Sequence, residues 1–286
     1  MRLTSPSSTL TIAALAAALS LTACFGIPSA GGIVGRITDR AVGTASDRVG
    51  DQVGNQVGNA AAAKVGATMS PYMMQFYMQF IFAMAFSQGG YSLEETPYKP
   101  GEWTRWSIPN EKASGDEAKE MTLERAYLFD EGGATWWKVK YVADPKKPEE
   151  STMILEALFD KKDYTLRRMR AKMPNEKEGK EMPVTQQTYY VPPQRLTPES
   201  IKGATKGVVT VTVPAGTYKA RHVVFGDAAG GSVEWFLAET VPGGNVKTIH
   251  TGAKPDDDGK ADPAHYTMLL TAKGAGAASE LGVTKP

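Results

Sequence analysis

The chain has 286 residues, and its 32 lysines and arginines nearly balance its 31 aspartates and glutamates, which leaves a formal net charge of +1. A nearly neutral chain without a basic run has no electrostatic basis for binding nucleic acid, so no nucleic-acid partner is expected. One cysteine excludes a disulfide within the chain. About 260 residues beyond the N-terminal segment suffice for one large domain, or for one domain with an extension.

Residues 1–23 have the pattern of a secretory signal peptide. Arg2 gives a short basic start, and residues 10–21 give an apolar core of about a dozen residues, after which small residues follow. The run Leu21-Thr22-Ala23-Cys24 resembles the lipobox of bacterial lipoproteins, in which the cysteine is acylated and becomes the mature N-terminus. The resemblance implies a covalent lipid on Cys24 and a membrane anchor.

Two alternatives to lipidation are a plain signal peptide with an accidental cysteine and a short transmembrane helix. The apolar core is shorter than the roughly 20 residues that a spanning helix needs. Phe25 follows the cysteine. In the bacterial lipoproteins that this run resembles, an aspartate at that position is associated with retention at the inner membrane, and this chain has no aspartate there. The expected location is therefore extracytoplasmic, at the outer membrane.

Residues 24–32 are predicted to be a tether, and residues 33–90 are predicted to be helical. Within the helical region, small and β-branched residues recur every four positions, at Val49-Gly50, Val53-Gly54, Val57-Gly58, Ala61-Ala62 and Val65-Gly66. Four residues advance a helix by about 400°, so the valine and glycine stripes run side by side. Such stripes suit close packing of helices, including self-association, whereas the alternative is a flexible linker.

Residues 71–86 form the most hydrophobic run after the signal segment. Ser70 is a suitable N-cap, Pro71 suits the first helical turn, and Gly89-Gly90 ends the run. A helix that is apolar nearly all round is buried or lies in lipid. The predicted helix would be about 24 Å long, which is too short to cross a bilayer core. We expect either a core helix or a helix that plugs an apolar concavity.

Residues 98–272 are predicted to be an antiparallel β domain. Apolar residues alternate with polar ones, and turn signals recur about every ten residues. The predicted strands are 103–108, 119–129, 134–143, 151–159, 164–172, 184–191, 208–213, 218–225, 232–238, 246–250 and 266–272. The expected fold is α+β, with about eleven strands in one large curved sheet, a half-barrel or a partly open barrel, behind an N-terminal helical segment. The tail, residues 273–286, is expected to be loose.

The turn Val213-Pro214-Ala215-Gly216-Thr217-Tyr218 resembles a V-P-A-G-T-aromatic turn of periplasmic β-sheet proteins whose fold is similar to the lipoprotein carriers LolA and LolB. Val233-Glu234-Trp235-Phe236 and residues 241–247 are similar to later strands of that group. The likeness covers about residues 100–272. It implies a curved sheet, covered by helices, that holds acyl chains.

Catalytic and metal-binding motifs are weak in this sequence. It has no G-x-S-x-G motif, and the histidines His222, His250 and His265 have no zinc-site spacing. Asp256-Asp257-Asp258-Gly259 lacks the full spacing of a calcium loop. No catalytic residue, metal site or cofactor is expected, apart from the lipid on Cys24, and we expect a non-enzymatic protein.

Two functions from different classes follow. In the first, the β domain binds an apolar ligand, a lipid or acyl chain, or a partner segment, and the candidate lining residues are Phe76, Phe80, Trp137, Tyr141 and Trp235. In the second, the chain is a structural or assembly component of the cell envelope. It would then dock on a partner, or self-associate, through the glycine-repeat and hydrophobic helices.

Overall fold

A computed structural model describes residues 71–86, 88, 91–92, 96–109, 120–184, 190, 192–226, 231–251 and 266–285, with side chains described from Tyr77 onward. The signal peptide, Cys24, the tether and the Val/Gly repeat lie outside the described residues, as do His265 and the Asp256–258 run. The side chain of Phe76 is also outside them.

The described residues form three helices and thirteen strands. The helices are α1 (Pro71–Phe86), α2 (Pro148–Ser151) and α3 (Pro198–Ala204). The strands are β1 (Tyr91–Ser92), β2 (Trp103–Ile108), β3 (Met121–Glu131), β4 (Ala134–Val142), β5 (Thr152–Asp160), β6 (Leu166–Lys172), β7 (Lys180–Met182), β8 (Gln194–Arg195), β9 (Thr205–Val213), β10 (Gly216–Gly226), β11 (Ser232–Leu237), β12 (Asn245–Thr251) and β13 (Tyr266–Gly274). Helix α1 has the predicted bounds.

Eleven strands form one antiparallel sheet in the order β7-β6-β5-β4-β3-β2-β13-β12-β11-β10-β9. The predicted large antiparallel sheet is confirmed, and it is not closed: β7 and β9 are its edges. Strands β1 and β8 form a separate parallel pair. The predicted strand at 184–191 lies mostly outside the described residues, which omit 185–189 and 191, and the described part of the sheet ends at β7.

Tight turns account for the simple strand order. Gly132 and Gly133 join β3 to β4 with φ values of 52° and 78°, a left-handed conformation that glycine adopts without strain. Pro214 and Ala215 join β9 to β10, and the amide of Ala215 donates to the carbonyl of Leu270 on β13 at 3.0 Å. This bond brings the β9–β10 turn back to a strand four positions away in the sheet, so the sheet curves at this end.

The sheet has an inner face and an outer face. The inner face carries Leu123, Trp137 and Leu155, and it packs against α1 in the largest hydrophobic cluster. The outer face carries Glu124, Lys138 and Glu156. Side chains alternate between the two faces along each strand, which is why the period-two pattern of the sequence identifies the strands.

The C-terminal tail covers the part of the outer face around Glu156. The buried carboxylate of Glu156 accepts hydrogen bonds from the Ser279 hydroxyl at 2.7 Å and from the amides of Glu280 and Leu281 at 2.6 and 3.2 Å. The side chain of Val283 packs in a second apolar cluster on this face. The tail therefore differs from the loose segment expected, because a carboxylate more than 120 positions away satisfies its backbone donors.

Candidate functional site

The inner face beneath α1 is the candidate site. Five residues of the helix are at most 4% exposed and belong to the inner cluster: Met78, Ile81, Phe82, Met84 and Ala85. The helix contains no charged residue, so it can lie on the apolar face without burying a charge. Helix α1 thus fills the surface that a concave sheet would otherwise offer to an apolar ligand.

Aromatic rings fix the helix against the sheet. Phe82 meets Phe159 and Tyr190 edge to face, with ring centroids 6.0 and 5.7 Å apart. Phe86 makes similar contacts with Phe159 at 5.1 Å and with Trp137 at 5.7 Å. Edge-to-face pairs of this kind contribute about 0.5–1.5 kcal/mol each beyond the area they bury. These contacts hold the end of α1 around Phe82 and Phe86 on the sheet.

Methionines are concentrated in the same cluster. All eight methionines whose side chains the structure describes belong to the inner cluster or pack against it: Met78, Met84, Met121, Met153, Met169, Met173, Met182 and Met268. Methionine is unbranched and flexible, so a surface rich in it can repack around ligands of irregular shape. The inner face is therefore chemically suited to an adaptable apolar site.

A buried arginine lies at the C-terminal end of α1. Arg125 on β3 is 7% exposed, and its guanidinium donates to the carbonyl of Ala85 at 2.8 Å and to the Tyr98 hydroxyl at 3.2 Å. Its Cζ lies 4.7–5.9 Å from the ring centroids of Phe86, Tyr98, Trp106 and Trp137. The carbonyl at the negative end of the helix and the faces of the rings both stabilise the positive charge.

Gln88 forms a second polar connection just beyond α1. Its Oε1 accepts from Trp235 Nε1 at 2.7 Å and from the Thr248 hydroxyl at 2.9 Å. Its Nε2 donates to the carbonyl of Met84 at 3.1 Å and to the sulfur of Met268 at 3.4 Å. One amide thus ties the end of the helix to β11, β12 and β13.

A crevice lies between these two polar groups at the end of the helix. Arg125, Gln88, Tyr91, Trp106 and Asn245 are among its lining residues, and the space that water-sized groups can occupy is about 20 Å³. That volume holds roughly one water molecule. The crevice between the described residues is therefore too small for an acyl chain, which could enter the inner face here only if α1 moves.

Burial keeps nearby tyrosines neutral. It raises the pKa of the Tyr77 hydroxyl to about 12, although a hydrogen bond with Tyr141 lowers it. Burial also raises the pKa of Tyr141 well above its usual value, and the neighbouring Tyr77 adds to the effect. The Tyr141 hydroxyl donates to the sulfur of Met121 at 2.8 Å. Both hydroxyls therefore stay protonated well above physiological pH.

The structure brings together three of the five lining residues expected from the sequence. Trp137 and Tyr141 are buried in the inner cluster, and Phe80 packs against it. Trp235 lies in a neighbouring cluster with Val223 and is connected to the site through Gln88. The side chain of the fifth, Phe76, is outside the described residues.

Sequence reasoning missed the two polar groups, Arg125 and Gln88. The sequence does contain a pattern that identifies Arg125. It alternates in phase with Leu123 and Tyr127 on β3, which places its charge on the apolar face. No signal of that kind marks Gln88, which follows the helix and gains its role from contacts about 150 residues away.

Two other kinds of functional feature are absent from the described residues. These residues contain no group of three or more histidine, cysteine, aspartate or glutamate side chains placed to hold a metal ion. None of their helices has the length and apolar character needed to cross a membrane.

Comparison with known proteins found no matching family model and no matching curated protein. Three solved structures are similar at low identity. The hypothetical protein CT021 from Chlamydia trachomatis has a TM-score of 0.38 at 10% identity, covering 66% of this chain and 93% of that one. A Bacteroides fragilis protein, provisionally described as exported and with a YmcC-like fold, has a TM-score of 0.30 at 10% identity, covering 64% and 99%. A Parabacteroides distasonis protein, provisionally described as a lipoprotein, has a TM-score of 0.28 at 11% identity, covering 64% and 99%. Likeness at these TM-scores assigns neither a family nor an activity.

Proposed function

We propose that this chain is a non-enzymatic, lipid-anchored extracytoplasmic protein, located at the outer membrane, whose sheet binds an apolar group such as an acyl chain on its inner face. The observation that carries the proposal is the collection of eight methionines in the inner cluster, six from the sheet and its loops and two from the uncharged helix that lies on it. The Leu21-Thr22-Ala23-Cys24 run supports the anchor and the location.

The proposal includes a half-barrel shape for the sheet and a resemblance to lipoprotein carriers. The hydrogen bond from Ala215 to Leu270 supports the shape, because it requires the sheet to bend back toward β13. A bent sheet presents a concave face, and α1 is then a plug that occupies the same surface as the ligand.

A plug lowers the apparent affinity for ligand, because only the fraction of molecules with α1 displaced can bind. Weakening the contacts of α1 should therefore strengthen ligand binding. Phe82 is the best position for such a change, since it is 1% exposed and its ring contacts Phe159 and Tyr190.

Phe82→Ala should raise the affinity for a dansyl-labelled fatty acid about tenfold. This change corresponds to a loss of about 1.4 kcal/mol from the free energy that favours the closed state, in which α1 lies on the inner face. The measurement is a fluorescence titration of the full chain with this probe. Leu158→Ala is the matched control, because Leu158 is a 5% exposed core residue on the outer face. It should destabilise the fold by an amount of similar order without changing the affinity for the probe.

The proposal fails if neither the parent chain nor the Phe82→Ala variant binds the probe. It also fails if both variants raise the affinity equally, since general loosening of the fold would then explain the uptake. Circular dichroism of each variant should confirm that the sheet is retained before the titrations are compared.

A further inference from the structure

Strand β9 is an unusual edge. Among the described residues no strand pairs with its outer side, and it carries both of the large hydrophobic side chains found exposed, Val208 at 70% and Val209 at 38%. Residues 207–213 (GVVTVTV) contain no charge and no proline. The register with β10 is irregular at His222/Val223, next to Lys206, so the regular part of β9 is this uncharged run.

Edge strands are normally protected, since their free N–H and C=O groups can pair with another chain. The opposite edge shows the usual protection: β7 has three residues, and Lys180 and Glu181 give it charges of both signs. Strand β9 has nine residues, and its central positions 208–210 are exposed. An antiparallel strand bonds its neighbour through every second residue, so β9 directs the remaining backbone groups outward.

We propose that β9 pairs antiparallel with β9 of a second copy of this chain, about a two-fold axis through Thr210. Residue 210 is the midpoint of the uncharged run 207–213, so this register overlaps the whole run. It places Val209 opposite Val211 of the partner copy and Val208 opposite Thr212 of the partner copy. Pairs of β-branched residues stabilise adjacent strands.

The charge distribution favours a second copy as the occupant. In this register only Thr210 lies opposite its own copy, and Thr210 is uncharged. The rest of the run also contains no charge, so the paired strands place no like charges opposite each other. The nearest charge on the same face is Lys219, which pairs with Thr210 from β10. The two Lys219 residues would lie three strand spacings apart, about 14 Å, beyond the Debye length of about 8 Å at physiological ionic strength.

The inner face gives a second argument for this register. Val213 is buried in the inner cluster, Val211 packs against it, and Val209 continues the same face toward solvent. In the two-fold pair, each exposed Val209 would contact Val211 of the other copy. The apolar inner face would then continue across the junction. This inference does not depend on the proposed ligand.

The test is disulfide formation in membranes that contain the full chain with Thr210→Cys. Paired residues of antiparallel strands have Cα atoms about 4.5–5.5 Å apart, within the about 4.4–6.8 Å that a disulfide spans. A covalent dimer on a non-reducing gel is the expected result. Thr217→Cys is the matched control, because Thr217 is equally an exposed threonine of the hairpin but lies on β10, away from the axis. The parent chain, with Cys24 alone, controls for that residue.

Charge exchange at the same position provides the second measurement, by sedimentation velocity in detergent. Thr210→Lys and Thr210→Glu should each be monomeric, and their equimolar mixture should form dimers. A parent chain that is monomeric at every concentration tested overturns the proposal. So do dimers that persist in both charged variants, a mixture that stays monomeric, or crosslinking of Thr217→Cys as efficient as that of Thr210→Cys.

Discussion

Gly243 lies where the backbone passes closest to the buried arginine. Its amide donates to the carbonyl of Thr96 at 2.7 Å, and its φ of 74° is in the left-handed region. A Cβ at this position would lie 2.5 Å from Nη2 of Arg125 and closer still to the ring of Tyr98. The close packing of Arg125 between rings therefore depends on the absence of a side chain here.

Replacing Gly243 with alanine should destabilise the protein more than the same change at Gly276. Gly276 has a similar φ of 84°, but a Cβ there would meet nothing within 4 Å. Gly276→Ala should therefore lower the free energy of unfolding only by the cost of a left-handed backbone conformation for alanine, about 1–2 kcal/mol. Gly243→Ala should cost about 1–3 kcal/mol more, because Tyr98 and Arg125 must move. Urea denaturation of both variants gives the two free energies of unfolding, and equal losses would contradict the account.

The C-terminal tail shows how a short element is held by charge at the outer face. Glu280 accepts hydrogen bonds from Lys138 at 2.7 Å and Lys140 at 2.9 Å, while its own amide donates to Glu156. Burial raises the pKa of Glu280, but the two lysines together lower it more, so its pKa is below the ordinary value. A depressed pKa means that the ionised form stabilises the folded tail.

Acid should therefore release the tail. The stabilisation is present above the unfolded pKa of a glutamate, about 4.3, and is lost as the pH falls through the lower folded value. The amide signals of Glu280 and Leu281 in NMR spectra should shift together below about pH 4. Glu280→Gln should weaken this attachment at neutral pH and remove its part of the pH dependence. An unchanged titration midpoint in that variant would show that Glu280 is not the responsible group.

Elements could be predicted from the sequence where local pattern decides the structure, and not where a distant partner decides it. Alternation and the Gly132-Gly133 turn are sufficient for β3 and β4, and Pro71 with the apolar run is sufficient for α1. The tail has no such pattern. Its backbone is held instead by hydrogen bonds to Glu156. The sequence around Glu156 gives no indication that its carboxylate accepts hydrogen bonds from backbone amides of the C-terminal tail.

At the scale of the whole molecule, each end of the described chain covers part of one face of the sheet. Helix α1 lies on the inner face and the tail lies on the outer face, so the sheet is the middle of three layers. The candidate site could be predicted only in part from the sequence. Trp137 and Tyr141 are large apolar residues in phase with the inner face, and Phe80 belongs to the apolar helix that packs there. Arg125 and Gln88 have their roles only once helix and sheet are packed together.

The proposed lipid anchor concerns the whole molecule, because it would determine where the other features act. One acyl chain binds a membrane only marginally, at about 0.8 kcal/mol per buried methylene, so stable attachment needs two or more chains. The mature parent chain, isolated from a bacterial host, should therefore begin at Cys24 and carry the mass of a diacylglyceryl group. Cys24→Ser should retain residues 1–23 and carry no lipid. Adding Ser29→Cys to that variant restores a cysteine five positions away and should not restore the lipid mass, which intact mass spectrometry would report directly. Cleavage of the parent chain at another bond, with Cys24 unmodified, would instead establish a plain signal peptide.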